Sequence, residues 1–322
     1  MLGWLAKLGL RRDVDQDEPR LLEAIKRAID LVEPRLEHVS GYPNRYRDMA
    51  KRMLRHAEAL AAGLPGPVEL NRERFVLDPF VRALFASPDD IPRTLSLSRA
   101  MREYRQCAGV PEGELYALMG MRYRQKHVFG MEARGEVIRR DVEQEALSFE
   151  DHTLSCISVS EAETRALLIW DVFDHLMRQV ARRLELLRQE RQSLAQAKDR
   201  IMAQLRGASA DRRAGMQLEL DALLSQQREL LARLDLHHVA SLFDDELRTP
   251  EAHVRLEQRK IQLDGMGVLR RPEESVLSHA IDFTDLVGMD RRRWTVVLVR
   301  YRHQELSSMS DRMENARRWL YA

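Results

Sequence analysis

The longest regular pattern along the chain is a heptad run. Apolar or large residues stand at Trp170, Phe173, Met177, Val180, Leu184, Leu187, Leu194, Ile201 and Leu205, alternately three and four apart, with Arg191 and Lys198 as the interruptions. A second run follows at Met216, Leu220, Leu223, Gln227, Leu230 and Leu234. A 3.5-residue repeat keeps one stripe of each helix facing a partner helix, so both runs read as coiled-coil seams. Between them lie Arg206, Gly207, Ala208, Ser209, Ala210 and Asp211, small and polar. Gly207 suits the position just past a helix, and Ser209 or Asp211 can cap the next one. A short link makes two helices antiparallel neighbours. Folding the chain about it sets Leu187 near Leu230, Leu194 near Leu223 and Ile201 near Met216. It also opposes Lys198 to Glu219 and Arg191 to Gln226 and Gln227. Matched polar breaks favour an intramolecular hairpin over a bundle of separate chains. Arms of roughly 36 residues reach about 54 Å at 1.5 Å per residue, so the tip is expected to project. Arg206, Arg212 and Arg213 crowd that tip.

Upstream, the period is helical. A helix is expected from Pro19, burying Leu22, Ile25, Ile29, Val32 and Leu36 with a bend at Pro34, and a second from Asn44 to about Ala62. Shorter helices follow over 79–86 and 93–106. After 109–113 the period becomes two. Leu115, Ala117, Met119, Met121 and Tyr123 alternate with Arg122, Arg124 and Lys126, which predicts a half-buried strand with a basic outer face. A second strand is expected over 136–149, a turn at Glu150, Asp151 and His152, and a third strand over 153–158. Beyond the hairpin, strands are expected over 253–263, 279–287 and 294–301, with a tight turn at Asp264 and Gly265. The last of these strands is nearly all apolar and so belongs in the centre of a sheet. A helix over 304–321 closes the pattern. The fold class is therefore α+β. A helical domain (1–108) precedes an antiparallel β domain (109–322) interrupted by a long antiparallel coiled-coil hairpin (161–248), with a C-terminal helix.

Composition narrows the partners. Of 322 residues 32% are charged, yet the formal net charge is +1, so no global basic field draws the chain to nucleic acid. Arginine heavily outnumbers lysine, a hint of a GC-rich bacterial genome. Cys107 and Cys156 have no metal-ligand spacing and fit a reducing cytoplasm. No apolar run approaches the roughly 20 residues of a membrane span. Residues 1–12 put Trp4 and several leucines beside Lys7, Arg11 and Arg12. A peripheral membrane contact there is the weaker reading, and packing on protein the stronger.

The catalytic inventory is empty of familiar motifs. There is no phosphate-cradling glycine loop, nucleophile elbow, His-Glu-x-x-His or paired-cysteine site. The hairpin register sets Asp171, Asp174 and His175 across from Asp244, Asp245 and Glu246, and facing helices with such residues are how bundle metal sites are made. Metal bundles use Glu-x-x-His pairs, which the chain lacks, so Asp171, His175, Asp244 and Asp245 are only a weak metal alternative. The basic strand face, with Arg122, Arg124, Lys126, Arg139 and Arg140, offers an anion or nucleic-acid surface, discounted by neighbouring acids that would pair across strands. The leading expectation is a non-catalytic assembly or adaptor protein, without cofactor, that takes a protein partner through Arg206, Arg212 and Arg213 at the hairpin tip. Self-association is compatible with it. The alternatives are nucleic-acid or anionic-ligand binding on the sheet, and a metal-dependent enzyme at the hairpin base.

Overall fold

Helical and alternating periods build the elements they predict, but the elements group differently from the sequence blocks. The computed structural model describes residues 6–108, 113–134, 137–270 and 278–306. In chain order these form helices α1 (Ala6–Val32) and α2 (Arg47–Gly63), strand β1 (Val68–Glu69), and helices α3 (Arg72–Leu77), α4 (Pro79–Leu84), α5 (Asp90–Leu97) and α6 (Arg99–Ala108). Strands β2 (Glu114–Arg134) and β3 (Val137–Ser158) follow, then helices α7 (Glu161–Gly207), α8 (Ala210–Arg233) and α9 (Leu236–Glu246). Strands β4 (Val254–Asp264), β5 (Ser278–Gly288) and β6 (Arg293–Arg302) complete an α+β fold. The expected helix over 304–321 falls almost wholly outside the described residues.

The chain divides into two compact units, one of residues 1–57 with 171–250, the other of 58–170 with 251–322. Neither unit ends near residue 108, where the sequence pattern changes. The change of pattern there marks a change of secondary structure and not of core. Leu70, Val81, Leu84, Phe85, Ile91, Leu95 and Met101, from the segment before the boundary, share one core with Leu115, Met119 and Met121 of β2.

In the first unit, α1 buries Leu21, Ala24, Ile25, Ala28, Ile29 and Val32. It starts well before Pro19, which lies inside the helix, and it stops before Pro34. That proline forces Glu33 into an extended conformation (φ −160°, ψ 101°), so it ends the helix where a bend was expected. Along α7 the seam residues Phe173, Met177, Val180, Leu184, Leu187 and Ile201 are buried, and on α8 so is Leu230. Leu194, Leu205, Met216, Leu220, Leu223 and Gln227 are half-buried, while most positions between them are exposed. The link is only Ala208 and Ser209. Lys198 pairs with its neighbour Asp199 (3.6 Å) and not with Glu219. The second arm is not continuous to residue 248. It breaks at Leu234, where the Asp235 carboxylate accepts the His237 N–H (3.1 Å) and starts α9.

The second unit is a sheet in the order β3-β2-β6-β5-β4, antiparallel throughout, with β1 added parallel to β6 (Val68 opposite Val299). The apolar β6 is central, as expected. β2 and β3 are each a single long strand, of 21 and 22 residues. The expected turn at residues 150–152 is instead a β-bulge. Gly120 faces Thr153 and Arg122 faces Glu150, so β3 carries one residue more than β2 over that interval. Asp141, Asp151 and Cys156 mark three such bulges, each with a left-handed φ of 53–57°. Each extra residue switches which parity of β3 faces the core. Leu147 and Phe149 point inward before Asp151, Leu154 after it, and Ile157 after Cys156. Beyond Met121, β2 leaves β6 and continues with β3 as a two-stranded ribbon.

The two edges of the sheet meet in one place. Asp264 Oδ1 accepts the N–H groups of Met266 and Val268 (2.9 and 3.0 Å), which turns the chain back after β4. The left-handed residue of the turn is Gly267 (φ 77°), not Gly265. The returning segment then bonds both edges. Leu147 N–H donates to Gly267 O (2.8 Å) and Leu269 N–H to Glu145 O (2.8 Å) on β3, while Arg270 N–H donates to Gln262 O (2.9 Å) on β4. The sheet is thus closed on itself at this level.

Candidate functional site

At the hairpin link, Arg206, Arg212 and Arg213 are all exposed, and among the described residues none engages a carboxylate. Nearer the base Arg178, Arg183 and Arg188 are taken up, whereas Arg182 is exposed and meets no carboxylate among the described residues. Arg27 holds the buried Asp174 in a fork (2.5 and 2.7 Å), with Arg178 at 3.4 Å on the same carboxylate. Glu33, also buried, receives Arg35 (2.8 and 3.0 Å) and Arg188. Arg183 lies 3.6 Å from Glu246 and Arg52 3.6 Å from Asp244. These pairs fix α1, α2 and α9 against α7 within the first unit.

Residues of the metal alternative have other partners in the fold. Asp244 faces Arg52, Asp245 pairs with Arg248 (3.2 Å), and His175 meets Gln179 (3.1 Å). Among the described residues, no group of three or more His, Cys, Asp or Glu side chains stands where it could hold a metal ion. Asp171, His175, Asp244 and Asp245 are not brought together.

On the strand face, Arg122 lies over the Trp294 ring (5.1 Å) and 3.5 Å from Asp151. Arg124 and Lys126 both reach Glu150 (3.5 and 2.7 Å), whose carboxyl is held below the usual carboxylate range chiefly by the Lys126 hydrogen bond. Among the described residues, the acids that meet these three basic side chains are Glu150 and Asp151 at the bulge. Arg139 and Arg140 are exposed on the ribbon. Tyr123 does not accompany the basic residues. Its ring lies on the opposite face, 4.0 Å beneath the Arg259 guanidinium.

Arg259 belongs to a network that the sequence reading missed. Asp285, fully buried at 0% exposure, accepts the Thr295 hydroxyl (2.7 Å) and faces Arg259 (3.1 Å), with Arg293 at 3.9 Å. A lone acid at an inward position of an apolar strand was the available signal. Its partners lie on neighbouring strands and carry no mark in sequence.

A second missed feature is a cavity of about 640 Å³ between β3 and helices α5 and α6, walled by Phe85, Phe149, His152 and Leu154 with Arg93 and Arg99 at its rim. His152 is fixed there twice. Its ring stacks on Phe85 (5.0 Å between centroids, 12° between planes), and its Nε2 lies 2.8 Å from the Leu84 carbonyl. A carbonyl only accepts, so Nε2 carries the proton. Burial pushes the His152 pKa below its usual value, partly offset by that bond and by Asp90 and Asp151. The ring is therefore neutral near pH 7, and Nδ1 is left with a lone pair. An adjoining cavity of about 430 Å³ shares Phe85, Ala86 and Phe149 and includes Arg82.

No family model, curated protein or solved structure matches the chain. Among the described residues no helix is long and apolar enough to cross a membrane.

Proposed function

We propose that the chain is a non-catalytic assembly or adaptor protein that engages a protein partner through the α7–α8 hairpin, read as an antiparallel coiled coil. The observation that carries this reading is the crowding of exposed arginines without carboxylate partners at the hairpin tip. At the base, Arg178, Arg183 and Arg188 are matched with carboxylates. At the tip, Arg206, Arg212 and Arg213 have none among the described residues. Between 200 and 213 the chain carries four arginines and one acid, Asp211, so the tip presents local positive charge on a molecule of near-zero net charge. Such a charge steers an acidic surface towards it. The seam supports the same reading, because burial concentrates on its basal residues, Phe173 to Leu187 with Leu230, and leaves the tip exposed. The basic strand face offers less, since Glu150 and Asp151 already occupy much of its charge.

The test is a comparative capture from the native host. The full chain is set beside the triple variant Arg206→Glu, Arg212→Glu, Arg213→Glu. Stability of the variant should stay within about 0.5 kcal/mol of wild type, as for surface positions without partners. Proteins retained by wild type should be lost or weakened at least about tenfold in the variant, and retention should fall as salt rises. An identical set of retained proteins in both, insensitive to salt, overturns the proposal.

A further inference from the structure

The cavity between β3 and helices α5 and α6 has a wall chemistry that neither the seam nor the hairpin tip uses. Its floor is aromatic and apolar, from Phe85, Phe149 and Leu154. Its acids are already engaged. Asp90 accepts both the N–H and the hydroxyl of Ser87 (2.9 Å each), and Glu103 holds Arg99 (2.7 Å). Beside the Asp90 carboxylate and the Thr94 and Ser98 hydroxyls, the wall offers a ligand one cation and one ring acceptor. Arg93 engages no carboxylate among the described residues, and His152 Nδ1 has no hydrogen-bond partner there because the ring's only proton is committed to Leu84. The adjoining cavity repeats the bias, since the half-buried Arg82 guanidinium also meets no carboxylate among the described residues.

We propose that this cavity binds a small planar organic acid, with Arg93 taking its carboxylate, His152 Nδ1 accepting a hydroxyl or N–H donor from the ligand body, and Phe85 and Phe149 flanking its apolar face. The volume is of the size that holds small ligands, roughly 300–1,000 Å³. A guanidinium meets a carboxylate with two parallel bonds and gives orientation as well as attraction. An acceptor fixed in one tautomer then discriminates. A ligand with a donor satisfies it, whereas one without leaves Nδ1 facing an apolar body and loses affinity. The site is independent of the hairpin, so the fate of one reading does not decide the other.

The probes are 4-hydroxybenzoate and benzoate, titrated into the full chain carrying ¹⁵N-labelled histidine, with heat of binding recorded in parallel. The His152 signal is assigned by its disappearance in His152→Phe. Saturable binding of 4-hydroxybenzoate is expected, with benzoate weaker by about fivefold to tenfold for the missing donor. The Nδ1 resonance of His152 should move with 4-hydroxybenzoate and stay in place with benzoate. Arg93→Gln, an exposed change that leaves the fold intact, should weaken both probes by at least about tenfold. Absence of saturation by about 10 mM, a range in which even weak millimolar sites fill, overturns the proposal. So does an affinity unchanged in Arg93→Gln, or a His152 resonance that does not respond to 4-hydroxybenzoate.

Discussion

Glu33 shows how a single residue can make stability depend on pH. Its carboxyl is brought from the usual 4.5 to about 2, first by the side-chain hydrogen bonds of Arg35, with burial opposing and Arg188 adding attraction. A folded-state pKa below the unfolded one stabilises the native state above the unfolded value. That contribution is lost as pH falls from about 4.5 towards 2. Glu33→Gln should therefore cost about 2 kcal/mol at pH 7, through the lost charged bonds. The gap between variant and wild type should close as urea unfolding is repeated at successively lower pH through that window. A constant gap would mean that Glu33 acts by packing alone. The two residue-level features absent from the sequence reading, Asp285 and His152, share a cause. Each is defined by partners on other elements, Arg259 and Thr295 for one and Leu84 for the other. Arg206, Arg212 and Arg213 needed no distant partner to be noticed.

Among elements, regular period was legible and its interruption was not. The seam of α7, the centrality of β6 and the turn at Asp264 follow from spacing, because burial repeats along a helix or strand at a fixed interval. β3 was cut in two because a bulge switches the inward parity, and a parity switch in sequence looks like the end of a strand. The same holds for α8 and α9, where Asp235 starts a new helix inside what reads as one apolar run. The bulge at Asp151 gives a direct check. Its φ of 55° is natural for glycine and tolerated by aspartate, but it crowds a β-branched side chain. Asp151→Gly should be neutral or stabilising by up to about 1 kcal/mol, whereas Asp151→Val should destabilise by about 1–3 kcal/mol, measured by chemical unfolding. Equal stability of the two variants would contradict the left-handed conformation.

For the whole molecule, the base of the hairpin and its distal part are held differently. The ion pairs that bind α7 to its neighbours end at Arg188, and about 30 Å of α7 lies beyond it at 1.5 Å per residue. Replacing residues 191–226 by a short glycine-serine link keeps those pairs and the buried Leu187 and Leu230. The shortened chain should keep its near-ultraviolet circular dichroism and a cooperative thermal transition. It should also lose the partner capture expected of the hairpin tip. Loss of the folded signal would place the distal hairpin in the structural core of its unit instead. The grouping of segments was the least legible property at this scale. Residues 58–108 look like a continuation of the helices before them, and only the shared core with β2 reveals that they belong to the sheet.

The interleaving of the two units has a consequence for the order in which the chain can fold as it is synthesised. Residues 1–57 emerge first, yet their unit closes only when 171–250 have followed, and the sheet opened by β2 and β3 waits still longer for β4, β5 and β6. At 5–20 residues per second, the usual rate of synthesis, the amphipathic α1 and α2 stand without their partner helices for roughly ten seconds or more. Neither unit can fold as an early, self-contained block on the ribosome. Pairing across such separations is slow, so both units wait on segments that are made late.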